Sequence, residues 1–185
     1  MKFRSSICFA LAASILVEGA GWTQSSRNRS AGVGSLLEMK CQGEGLSEVN
    51  SDWVVVNRRN YTAVGSFGFS GYSRNDYIPK SKLIEISCNL AARNQSPIYK
   101  TLTMTVGSDD NNVNWRVENS YSARLRITTY LDGDPTGSAE IGFRDLKRFS
   151  LNIDGVRSVA FSVECLPSKH SSCPNLFILE DKLIK

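Results

Sequence analysis

The side chains with most chemistry to offer lie in Ser66 to Tyr77, SFGFSGYSRNDY, where Tyr72, Arg74, Asn75, Asp76 and Tyr77 stand among glycines and serines. Trp115 and Tyr121 follow further along in a second polar stretch. An aromatic ring can cover the C–H face of a pyranose, while amides, carboxylates and guanidinium groups fix its hydroxyls. Tyr72, Tyr77 and Trp115 would supply the faces, and Arg74, Asn75 and Asp76 the polar partners. The alternative is that these aromatics plug the ends of a folded core.

A second cluster is Asp109-Asp110-Asn111-Asn112. Hard cations want several carboxylate and amide oxygens close together, so Asp109, Asp110 and Asn111 are candidate calcium ligands. The cluster lacks the fixed ligand spacing of a known calcium loop, and the same residues also build solvated turns. Catalysis has little to stand on. His170, the sole histidine, sits in Ser168-Lys169-His170-Ser171-Ser172, there is no Gly-x-Ser-x-Gly elbow, and no Cys-x-x-Cys pair suggests zinc. No catalytic residue is assigned and no enzyme is expected.

The elements that must position these residues read as strands. Leu102, Met104 and Val106 alternate with Thr101, Thr103 and Thr105, the period of a strand with one buried and one hydrated face. The run is expected to stop at Gly107. Ile84, Ile86 and Cys88 alternate with Glu85 and Ser87, and Leu125, Ile127 and Leu131 share a face of Arg124 to Leu131 before the turn signal Asp132-Gly133-Asp134-Pro135. Phe149, Leu151 and Ile153 lead to Asp154-Gly155, and Val159, Phe161, Val163 and Cys165 alternate after it. Trp53 to Val56 reads as a strand buried on both faces, Asn57 to Asn60 as a turn and Tyr61 to Val64 as a return strand. Leu176 to Leu179 is a further strand, with Glu180 to Lys185 a charged tail. Short alternating strands joined by Asp-Gly and Asn-rich turns, with no convincing helix, predict an all-β antiparallel sandwich of two sheets.

Length and composition agree with one domain: 185 residues, 41% hydrophobic and 22% charged. The net charge of +4 is mild and the basic residues are scattered, which argues against a nucleic-acid partner. Lys2 and Arg4, then the apolar run Ile7 to Val17 and the small residues Gly19-Ala20, describe a secretory signal peptide over 1–20 that is too short to span a bilayer. Residues 21–35 read as a flexible N-terminal arm and 36–185 as a single sandwich domain. No other run is long enough for a membrane span, so a secreted, periplasmic or extracellular protein is expected. Cys8 leaves with the signal, and Cys41, Cys88, Cys165 and Cys173 remain for two disulfides in an oxidising compartment. Cys165 and Cys173 bracket a short loop, which favours Cys165–Cys173 with Cys41–Cys88. Cys88 and Cys165 share the apolar phase of their strands, so a Cys88–Cys165 bridge is the alternative.

The order of motifs resembles a known family. It runs through Asn57-Arg58-Arg59-Asn60-Tyr61, Ser87-Cys88-Asn89-Leu90, Ile98-Tyr99-Lys100-Thr101-Leu102, Val106-Gly107-Ser108-Asp109-Asp110, Tyr130-Leu131-Asp132-Gly133 and Ile153 to Val159. In that order, over roughly Asn57 to Cys165, the chain is similar to the novel carbohydrate-binding module family, whose fold is a galactose-binding-like jelly roll. The family's glycine-histidine stretch is absent; Gly65 to Tyr72 takes its place without a histidine. The resemblance implies a non-catalytic glycan binder; no cofactor is expected, although such jelly rolls often hold a structural calcium. The other reading is an envelope or extracellular protein-interaction domain that kept the fold and binds another extracellular protein.

Overall fold

The computed structural model describes residues 33–49, 52–69, 83–110, 124–166, 173 and 175–185. The expected signal peptide, most of the arm, Tyr72 to Tyr77, Asn111, Trp115, Tyr121 and His170 lie outside the described residues.

Alternation of apolar and polar residues becomes strand almost everywhere it occurs. In chain order the strands are β1 (Val33–Gly34), β2 (Lys40–Gly43), β3 (Leu46–Glu48), β4 (Trp53–Val56), β5 (Arg59–Thr62) and β6 (Gly65–Phe67). There follow β7 (Leu83–Asn89), β8 (Thr101–Ser108), β9 (Arg124–Leu131) and β10 (Asp134–Ile141). The last are β11 (Leu146–Asn152), β12 (Ser158–Leu166) and β13 (Leu176–Ile184). One 3-10 turn, Leu36–Glu38, is the only helical element among the described residues.

All pairings are antiparallel. One sheet has the order β11-β8-β13-β6-β3, with β1 beside the far half of β13. The other has the order β10-β9-β12-β7-β2, and β4 with β5 forms a separate hairpin. Each large sheet presents its apolar phase to the other: Leu102, Met104, Val106, Leu176, Ile178 and Leu183 from the first meet Ile84, Ile86, Leu125, Ile127, Phe161 and Val163 from the second. This is the expected all-β antiparallel jelly-roll sandwich of two sheets.

Both expected disulfides form. Cys41 and Cys88 are register partners on β2 and β7 and are bonded, and Cys165 bonds Cys173. The alternative Cys88–Cys165 bridge is ruled out by register. Cys88 faces Val159 near the start of β12, and Cys165 lies six residues further along that strand, ~20 Å away.

Several expectations need correction. The central strand does not stop at Gly107; it runs to Ser108, and Thr103, expected on the wet face, is only 7% exposed. Gly107 is where the small β4–β5 hairpin seats: a Cβ there would lie 2.8 Å from Val56 Cγ1. Trp53 to Val56 is not buried on both faces. It alternates, with Val54 and Val56 inward and Trp53 76% exposed, because the hairpin covers Phe177 and Leu179 with one face only. Its turn is Asn57-Arg58 alone, both at positive φ, and the return strand begins at Arg59. Val33 and Gly34, expected in the arm, pair with Ile184 and Leu183. Residues 134–141, which carry no clear alternation, form the exposed edge strand β10; Pro135 is tolerated there because an edge leaves one row of N–H groups unpaired.

The largest correction concerns the charged tail. Glu180 to Ile184 continue β13, which lies between β8 and both β6 and β1 in the middle of its sheet. A bulge between Ile178 and Glu180 shifts the phase by one residue, so Ile178 is inward before it and Asp181 and Leu183 are inward after it. The broken alternation hid this half of the strand.

Candidate functional site

Side-by-side strand ends gather three connections at one end of the sandwich. In the first sheet Leu176 pairs with both Phe67 and Ser108, the ends of β6 and β8. In the second, Glu164 pairs with both Leu83 and Arg126, near the starts of β7 and β9. The Cys165–Cys173 bridge ties the end of β12 to the approach of β13, and Ser108 Oγ donates to Gly142 O across the two sheets. The flanks of 70–82 and of 111–123 are therefore neighbours. These segments carry Tyr72, Arg74, Asn75, Asp76, Tyr77 and Trp115, the candidate ligand-binding residues, which themselves lie outside the described residues.

Asp109 and Asp110 stand at the rim of the same end. Asp109 Oδ1 accepts from Val55 N–H at 3.2 Å. Asp110 Oδ1 accepts from Asn57 N–H at 3.2 Å, and its Oδ2 accepts from Arg58 N–H at 2.9 Å and lies 3.3 Å from Arg144 Nε. These carboxylates hold the β4–β5 turn, whose Asn57 and Arg58 both adopt left-handed backbone, tolerated by asparagine but strained for arginine. With a guanidinium and backbone N–H groups as partners, Asp110 faces donors, whereas a calcium cage needs oxygens converging on open space. Among the described residues no group of three or more His, Cys, Asp or Glu is placed to hold a metal.

The outer face of the second sheet carries features that sequence reasoning missed. Its rows follow from the register. Glu164, Arg126 and Glu140 form an ion-paired row, with Arg126 bonded to Glu140 at 3.1 Å and Glu164 at 3.4 Å. The next row is Glu85, Ser162, Thr128 and Ser138, and the next Gln42, Ser87, Ala160 and Tyr130. Small side chains at Ser87, Ala160 and Ser162 leave a groove of about 360 Å³, with Tyr130, Gln42 and Glu85 among its lining. A further row along, Lys40, Asn89 and Ser158 enter a cleft of about 730 Å³ that also contains Glu38, Arg93 and Arg157. This cleft is at the end opposite the candidate loops. The available signal was the polar phase of the strands: Glu85, Ser87, Ala160 and Ser162 were visible as its members, but the neighbours they meet depend on register between distant strands.

No family model and no curated protein matches the sequence. Solved structures do match in fold. The CBM51 from Clostridium perfringens GH95, solved in complex with methyl-galactose, superposes with a TM-score of 0.52 at 13% identity, over 82% of this chain and 99% of that one. The tandem CBM51 modules of Sp3GH98, the family 98 glycoside hydrolase from Streptococcus pneumoniae, match with a TM-score of 0.53 at 13% identity, over 83% of this chain and 47% of theirs. The CBM51-2 and INT domains from Clostridium perfringens ZmpB match with a TM-score of 0.53 at 11% identity, over 83% of this chain and 31% of that one. This chain thus has the length of one module and spans under half of the multi-domain chains. At such identities the likeness is one of fold: the architecture is that of carbohydrate-binding modules.

Proposed function

We propose that the protein is a secreted, non-catalytic carbohydrate-binding module for extracellular or cell-surface glycans. The observation that carries the reading is the convergence of strand ends that flank 70–82 and 111–123 at one disulfide-tied end of the sandwich. Loops held by a rigid scaffold are where binding residues collect. Tyr72 and Trp115 stack on sugar rings, Tyr77 adds a further face, and Arg74, Asn75 and Asp76 hydrogen-bond hydroxyls. Affinity is weak, because sugar hydroxyls exchange good hydrogen bonds with water for similar ones with protein. Export is supported by the signal-like start of the chain and by two disulfides, which persist in oxidising compartments. Among the described residues no helix is long and apolar enough to cross a membrane.

The test is a glycan array of the mature protein, with calcium and with chelator. Tyr72→Ala and Trp115→Ala should abolish binding of neutral glycans with little change in melting temperature, and chelation should leave binding intact if calcium has no part. Variants that fail to fold would make these aromatics core plugs. A second reading, a protein-interaction domain on the same fold, is favoured by Trp53, which is 76% exposed on the β4–β5 hairpin. An array without any bound glycan would select it.

A further inference from the structure

Two adjoining features of the second sheet's outer face point to a ligand class. The groove over Ser87, Ala160 and Ser162 and the cleft at Lys40, Asn89 and Ser158 lie on the same phase of the same strands, one row apart. From Glu85 to Asn89 along β7 is ~13 Å at the usual strand rise, longer than a single sugar ring. The groove offers one ring face, Tyr130, with an amide at Gln42 and hydroxyls at Ser87 and Ser162, a set suited to a polyhydroxylated ring.

The cleft differs from the groove in charge. Lys40, Arg93 and Arg157 line it against the single carboxylate of Glu38. Arg157 Nη1 donates to Gln95 O at 3.1 Å and Nη2 to Ala92 O at 3.2 Å. Neutral carbonyls fix this guanidinium in place, and among the described residues it forms no ion pair. Its own backbone N–H is held by Asp132 Oδ1 at 3.0 Å, so the whole residue is anchored. Lys40 and Arg93 are exposed and form no ion pair among the described residues. A preset guanidinium flanked by two uncommitted cations matches a carboxylate.

We propose that groove and cleft form one track for an acidic glycan: a sugar ring over Ser87, Ala160 and Ser162 beside Tyr130, and the carboxylate of an adjoining uronic or sialic acid at Arg157, Arg93 and Lys40. This rests on the glycan-binding reading and is independent of the loop site. The probes are tri-galacturonic acid, its methyl ester and 3′-sialyllactose, titrated by calorimetry into the mature protein. At least one of the two acids binds, and which one distinguishes uronate from sialate. If the uronate is the ligand, esterification weakens binding at least tenfold; if the sialate is, lactose in its place does the same. Combined Lys40→Glu and Arg93→Glu, on exposed residues with unchanged melting temperature, should weaken the acid at least tenfold, while Tyr72→Ala and Trp115→Ala leave it unchanged. An acid bound no better than its neutral counterpart, one insensitive to the charge reversal, or one lost with Tyr72→Ala overturns the track. So does binding of neither acid. Neutral glycans still bound on the array would then leave the proposed function standing, and an array with no glycan bound would remove both.

Discussion

Asp181 is a carboxylate inside an apolar strand face, 7% exposed. It is tolerated because Ser35 Oγ donates to its Oδ2 and Leu37 N–H donates to the same oxygen at 3.2 Å. Ser35 is also the N-cap of the 3-10 turn, so one carboxylate fixes the point where the chain enters the domain. Asp181→Ala leaves the buried Ser35 hydroxyl without its acceptor, while Leu37 N–H keeps Ser35 Oγ at 3.2 Å, and should cost about 1–3 kcal/mol in urea unfolding. A loss near zero would mean that water satisfies the hydroxyl. One residue on, the surface pair Glu180–Lys182 behaves differently. The hydrogen bond from Lys182, with its charge and a hydrogen bond from Thr105 adding to it, holds the Glu180 carboxyl below its ordinary 4.5 against the opposing effect of burial. A lowered folded-state pKa adds stability above the unfolded value, and that contribution disappears as pH falls through the folded one. Lys182→Met should therefore lower the melting temperature slightly at pH 7 and by less at pH 3, small because the pair is partly solvated. An equal loss at both pH values would assign the effect to packing of the lysine stem.

Among the elements, β13 and the β4–β5 hairpin lie where sequence periodicity misleads. β13 carries two ladders at once, to β8 on one side and to β6 and β1 on the other. Deleting Glu180 to Lys185 removes the partners of Thr101 to Thr105 together with Leu183 from the core, so the truncated protein should fail to give a cooperative thermal transition. A disposable tail would leave the transition intact. The hairpin depends on contact with β8: Val56 packs on Gly107, Asp110 N–H donates to Val55 O at 2.6 Å, and Asp110 holds the turn. Gly107→Val inserts side-chain volume at that contact and should cost about 1–3 kcal/mol while the two large sheets persist. Two-dimensional amide spectra would then show shifts concentrated at β4, β5 and β8; shifts spread through the β9–β12 sheet would show that the hairpin is not a separate unit.

At the scale of the whole molecule, the disulfides act in different places. Cys41–Cys88 fastens the edge strand β2 to its sheet across 47 residues of sequence, whereas Cys165–Cys173 closes a short connection between the sheets. The longer loop removes more entropy from the unfolded chain, so Cys41→Ser with Cys88→Ser should cost more than the Cys165/Cys173 pair, both within about 2–5 kcal/mol. Denaturant titration of the two double variants under the same conditions checks the order, and a reversed order would point to native-state packing of Cys165 and Cys173 rather than loop closure.

The sequence alone carried what depends on local period and turn chemistry. Alternation at Ile84 to Cys88, Leu102 to Val106 and Val159 to Cys165 specified strands and their inward faces, because a side chain's face is set by its own backbone. Asp132-Gly133 specified its hairpin for the same reason, since left-handed backbone is cheap there. The motif order was enough to anticipate a carbohydrate-binding-module architecture. Tertiary structure decided what depends on partners distant in the chain. The bulge that turns Asp181 inward is invisible to a pattern that assumes unbroken alternation. Trp53 looked buried because its neighbours are valines, yet only the docking side of the hairpin meets the sheet. The groove and the basic cleft exist because register aligns Gln42, Ser87, Ala160 and Tyr130, and beside them Lys40, Asn89 and Ser158, from strands that local sequence cannot pair.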